Sequence, residues 1–145
     1  MKKKMYVIGV ALALPLVSLG IYLLFFFNIV HTNFATEATI RFSVQNDATG
    51  TFTTQEFLLT DEKDIVELKG IFRGRIARDS PACGFSMNVS ITMYGRGESI
   101  IFCLALDGCP IIRINDSDRF ISISDNQRKV LNDIFARFGF TFPAI

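Results

Sequence analysis

Cys83, Cys103 and Cys109 are the residues of this chain whose type is most open to chemistry. All three lie in one stretch, residues 83–110, CGFSMNVSITMYGRGESIIFCLALDGCP. Their spacing, C-x19-C-x5-C, sorts the roles cysteines can take. Structural zinc takes four ligands in clustered pairs, and a thioredoxin-type dithiol takes C-x-x-C; neither pattern occurs. A nucleophilic cysteine needs a base within hydrogen-bond reach. The single histidine, His31, precedes Cys83 by about fifty residues and falls in a linker.

Paired carboxylates are the other chemistry to weigh, since a glycosidase needs only two. Asp61, Glu62, Asp64 and Glu67 fall on one helix, and a solvated helix N-terminus accounts for them. Asp116 and Asp118 sit in a turn, Asn115-Asp116-Ser117-Asp118, that lacks the glycine and later glutamate of a calcium loop. No P-loop, glycine-rich phosphate loop or nucleophile elbow is present. Arg73, Arg75 and Arg78 could offer positive charge to an anionic partner, but compensation of a helix C-terminus is the reading that accounts for them. The residues therefore suggest no catalytic set, no metal site and no cofactor.

The elements that hold these residues begin with an N-terminal segment of distinct character. Lys2, Lys3 and Lys4 precede 26 uncharged residues, 5–30, MYVIGVALALPLVSLGIYLLFFFNIV. Secretory hydrophobic regions run to ~7–15 residues. As a helix this run would extend roughly 39 Å at ~1.5 Å per residue, against a hydrocarbon core of ~30 Å. Pro15 would kink such a helix without forbidding it. The reading is an uncleaved signal anchor with the lysines on the cytoplasmic side. The alternative is a secreted chain, cleaved near Ser18-Leu19-Gly20 or Thr36-Glu37-Ala38. A core helix of a soluble domain is the third reading.

Residues 31–37 then form a linker, and 38–145 an outer domain. Setting the three N-terminal lysines aside leaves 12 basic against 14 acidic residues. That balance offers nothing to attract phosphate backbones, which argues against nucleic acid.

Hydrophobic periodicity lays out the domain. Ile40, Phe42 and Val44 alternate with polar neighbours as a half-buried strand, and Thr51 to Leu59 returns after the turn cluster at residues 46–50. Thr60 is the expected N-cap of a helix with the stripe Ile65, Leu68 and Phe72, ending at Gly74. Phe85, Met87, Val89, Ile91 and Met93 alternate with Ser86, Asn88, Ser90, Thr92 and Tyr94, which predicts one dry and one wet face. Ser99 to Leu106 is apolar on both sides, as in a central strand. Asp107-Gly108 predicts a two-residue hairpin into a strand over 109–114, and 119–123 is a short last strand. Ser124 and Gln127 form a capping box ahead of a helix with the stripe Val130, Leu131, Ile134, Phe135 and Phe138. The fold class is α+β: an antiparallel sheet of five or six strands with two helices on one face, preceded by one transmembrane helix.

Register then gives the cysteines a role. With Gly95-Arg96-Gly97 as hairpin loop, position i faces 192 − i. Val89 then faces Cys103, and Cys83 meets Cys109 at the open end. An exported domain permits a Cys83–Cys109 disulfide, with Cys103 a buried thiol on the dry face. One residue of slip would move each partner to the other face, so other pairings and three reduced thiols stay open.

These observations point to a membrane-tethered extracytoplasmic domain that binds a protein or other surface ligand without catalysis. Its ligand face would be Ser86, Asn88, Ser90 and Thr92. The alternative is a small cell-surface hydrolase using two carboxylates. A redox sensor would require Cys103 to be exposed with a lowered pKa.

Overall fold

The structure is a computed structural model and describes residues 17–20, 22, 29–45, 49–77 and 82–142. Lys2–Lys4, Pro15 and most of the expected membrane helix lie outside these residues, as do Arg78 and the turn residues Asn46, Asp47 and Ala48. Of the apolar run, 17–20 and 22 are helical. Among the described residues, no helix is long and apolar enough to cross a membrane.

The domain is a mixed α+β fold built on one antiparallel sheet. Its strands are β1 (Glu37–Gln45), β2 (Phe52–Leu59), β3 (Phe85–Gly95), β4 (Glu98–Ala105), β5 (Ile111–Ile114) and β6 (Phe120–Ser122). Their order across the sheet is β2-β1-β3-β4-β5-β6. Helix α1 (Glu62–Phe72) connects β2 to β3, and α2 (Asp125–Ala136) follows β6. Residues 17–20 and 22 are the only other helical residues described. Both α1 and α2 lay their apolar stripes on the same side of the sheet. Ile65, Leu68, Ile71 and Phe72 from α1, with Leu131, Ile134 and Phe135 from α2, join Ile40, Phe42, Ile91, Phe102 and Ile112 in one buried core. Phe72 stacks on Phe102 with centroids 4.0 Å apart.

The helix boundaries follow their caps. Asp61, not Thr60, caps α1, because its carboxylate accepts from the Lys63 amide at 2.8 Å. The capping box of α2 forms as the sequence predicts: Ser124 Oγ accepts from the Gln127 amide, and Gln127 Oε1 accepts from the Ser124 amide. Phe138 falls outside α2. It belongs to a tail in which Phe138, Phe140 and Phe142 fold back on Phe57, Phe42 and Phe135 with centroids 4.7–4.9 Å apart. The Phe140 amide donates to Phe135 O and Gly139 takes φ +84°, a left-handed helix end that turns the chain inward.

Two expected turns differ. The β3–β4 loop is Arg96-Gly97 alone, with Gly95 paired to Glu98 and both loop residues at positive φ (+51° and +77°). That is the two-residue geometry whose twist matches the strands. Register near the turn is therefore i to 193 − i: Ile91 pairs with Phe102 and Ser90 with Cys103. The second turn is looser than two residues. β4 stops at Ala105 and β5 begins at Ile111, with Leu104 paired to Ile112. Asp107 and Gly108 sit inside this wider loop with Cys109.

The expected linker packs against the domain. Val30, Phe34 and Ala35 are buried, the Val30 amide donates to Gly74 O, and Thr32 Oγ1 donates to Lys69 O at 3.3 Å. Phe34 and Ala35, with Val30 just before the linker, give this segment a reason to leave solvent. His31 stays exposed between its buried neighbours.

Candidate functional site: the outer sheet face

Beyond Ser90, β3 leaves its regular alternation. The register changes between Ser90↔Cys103 and Phe85↔Ala105, so residues 86–89 of β3 lie against Leu104 alone. Local bonds hold this bulge. Ser86 Oγ accepts from the Asn88 amide at 3.1 Å, and Ser90 Oγ donates to Met87 O at 3.2 Å. Such side-chain bonds give the backbone an alternative to the ladder. The bulge exchanges faces. Phe85 and Met87, expected on the dry face, sit on the outer side. Val89, Ile91 and Met93 keep their places in the core.

The four residues expected to form a ligand face are therefore divided. Ser90 and Thr92 line a concavity of about 270 Å³ on the outer face, together with Thr39 and Arg41 of β1, Glu56 of β2, Met87 and Tyr94 of β3, and Ser99 and Ile101 of β4. Ser86 and Asn88 are carried away by the bulge and do not line it. Met87 takes a place that the strict alternation denied it. Thr39, Ser90 and Thr92 are short, while Arg41, Glu56, Met87 and Tyr94 beside them are longer, which leaves a hollow in this sheet face. Arg41 Nε and Glu56 Oε1 form an ion pair across β1 and β2 at 3.5 Å, both side chains being about half exposed. Their opposite charges leave the hollow close to neutral, and Met87 and Ile101 give it apolar surface beside the hydroxyls.

Cys103 lies on this outer side, under the bulge, and is fully buried. The one-residue difference in register moved it from the face shared with Val89. Its Sγ is 3.0 Å from Met87 Sδ and 3.8 Å from Asn115 O. Burial pushes the thiol above its ordinary pKa, opposed by the neighbouring Arg113 guanidinium. Arg113 itself lies 5.7 Å from the centre of the Phe85 ring.

Cys83 and Cys109 are joined in a disulfide, with Cα atoms 6.0 Å apart. It closes the open end of the β3–β4 hairpin from the loops that flank it. Asp107 tightens the same end: its carboxylate accepts from the Gly84 amide at 2.8 Å and the Cys109 amide at 3.3 Å. The Gly84 bond, more than the Cys109 bond, draws its pKa below the usual carboxylate value. Cys83, Asp107 and Cys109 also form the one group of potential metal donors clustered within 4.8 Å among the described residues. Two of its three donors are committed to the disulfide, so no ligand set remains there.

Two of the acidic residues at the start of α1 have structural work. Asp61 caps the helix, and Asp64, almost fully buried, accepts from Arg137 Nη2 at 2.8 Å. This bond with Asp64 holds the Arg137 guanidinium above its ordinary pKa. A second, much smaller cavity of about 20 Å³ lies between α2 and the β4–β5 loop, beside Arg128, Leu131 and Asn132. It has room for about one water and no more.

No protein-family model, characterised protein or solved structure matches this chain.

Proposed function

We propose that the protein is a membrane-tethered, extracytoplasmic binding domain without catalytic activity, and that the hollow on its outer sheet face receives the ligand. The observation that carries this reading is that hollow. It spans four strands, is lined by hydroxyls, a paired Arg41–Glu56 and the apolar Met87 and Ile101, and lies opposite the helices, clear of the core. Hydroxyls, Tyr94 and an ion pair suit a neutral, hydrogen-bonding ligand, such as a segment of a partner protein. Tethering rests on Lys2–Lys4 and the 26 uncharged residues that follow. The outside location draws further support from the disulfide, which persists in oxidising compartments. Secretion after cleavage would place the same domain in the same compartment without the tether.

The rival reading, a hydrolase working through two carboxylates, has less to rest on. The lining carries Glu56 as its one carboxylate, and that group is paired with Arg41. A redox sensor at Cys103 would need an exposed thiol of lowered pKa; the thiol is buried and its pKa raised.

The test places a photo-crosslinking side chain at Ser99, on the rim of the hollow, in the full chain in its native membrane. Capture of one partner is expected from Ser99 and not from Lys129 on the exposed side of α2. Thr92→Arg, which fills the hollow, should abolish it. Equal capture from both positions, or capture indifferent to Thr92→Arg, would overturn the reading.

A further inference from the structure

The two edges of the sheet are treated differently. β6 is three residues long, and its outer side is bridged by Ala77, whose amide and carbonyl both bond Phe120. β2 is eight residues long and pairs with β1 in an unbroken register. Among the described residues, no strand pairs with its other side. Edge strands are commonly protected by brevity, proline, lysine or a bulge. β2, FTTQEFLL, has none of these, and its single charge, Glu56, is paired to Arg41 on the neighbouring strand. It also carries the two most exposed large hydrophobic residues described, Phe52 at 70% and Leu58 at 62%. Both lie on the outer face, opposite Gln45 and Thr39.

We infer that β2 pairs with β2 of a second copy of this chain, antiparallel about a two-fold axis at Gln55, to make one continuous sheet. The sequence of the strand selects the register. A two-fold axis perpendicular to the sheet places like faces together, so partner positions sum to an even number. Centring on Gln55 puts Phe52 opposite Leu58 of the partner subunit, twice, and Glu56 opposite Thr54 of the partner subunit. Each exposed hydrophobic then meets another across the strands, and no like charges face. Moving the axis one residue toward the C-terminus sets Glu56 against its own copy. Moving it one residue toward the N-terminus sets Phe52 against Glu56. This inference does not depend on the ligand hollow or on the tether.

The test uses the full chain. Wild-type protein is expected to sediment at twice the chain mass. Phe52→Lys with Leu58→Lys should return it to one chain mass, both positions being exposed in the single copy. In a separate variant, Gln55→Cys should give a disulfide-linked dimer under mild oxidation, because the residue on the axis meets itself; Val66→Cys, exposed on α1, should not. A monomeric wild type would overturn the inference. So would a dimer that survives the double lysine substitution, or a Gln55→Cys thiol that links only to another protein.

Discussion

Asp107 joins two loops with one carboxylate, accepting from the Gly84 and Cys109 amides beside the disulfide. Those bonds favour the ionised form, and the folded pKa lies below the ordinary value. A lowered carboxylate pKa contributes stability that is present above the unfolded value of ~3.9 and is lost as pH falls through the folded value. The melting temperature of the wild type should therefore drop more steeply below about pH 4 than that of Asp107→Ala, measured by circular dichroism in matched buffers. Two ion pairs make a contrasting comparison. Arg137→Ala leaves the buried Asp64 carboxylate without this partner and should cost about 1–2 kcal/mol in denaturant unfolding. Arg41→Ala breaks a pair exposed on both sides and should cost under ~1 kcal/mol. At this scale the pairing of Cys83 with Cys109 was legible from their shared place at the open end of a hairpin. The face of Cys103 was not. Counting Gly95 into the loop shifts the register by one, and in a strand one residue is the difference between the two faces. Neither the Asp64–Arg137 pair nor the role of Asp107 had a signal in the spacing, because each joins segments distant in sequence.

Among the elements, β1 and α2 were readable from periodicity, and β4 from an apolar run that suits a central strand. The bulge in β3 was hidden by a sequence that alternates through it. Ser86 and Ser90 form local bonds that periodicity does not register, and they moved Met87 to the outer face and Ser86 and Asn88 off the hollow. The aromatic tail was likewise unread, since Phe138, Phe140 and Phe142 pack on distant residues instead of continuing α2. Two glycines give opposite predictions. A side chain at Gly95 would run into the Phe34 carbonyl, where the N-terminal segment crosses the end of β3. Gly95→Ala should therefore destabilise by ~1–3 kcal/mol. Gly70, inside α1, has nothing within 4 Å of an added methyl. Gly70→Ala should stabilise by about 0.5–1 kcal/mol through helix propensity. Chemical denaturation of the two variants checks both signs.

Over the described residues, the molecule is a six-stranded sheet with helices on one face and a hollow on the other, stapled at one end. The fold class was legible because binary patterning largely decides it. The hollow was not, because it depends on which side chains from four separate strands come to lie together. The staple gives the molecule its proposed address. Linking positions 26 apart restricts the unfolded chain by roughly 3.5 kcal/mol in the chain-entropy model, and that contribution is available only where thiols can oxidise. The most direct test of the account is therefore the state of the three cysteines in protein from its native cells, alkylated before lysis. A non-reducing digest with trypsin and an enzyme cutting before aspartate separates Cys103 from Cys109 at Asp107. Mass spectrometry should find Cys83 linked to Cys109, with Cys103 reduced and alkylated only after unfolding. Alkylated Cys83 and Cys109, or a Cys103–Cys109 link, would contradict the stapled, extracytoplasmic domain.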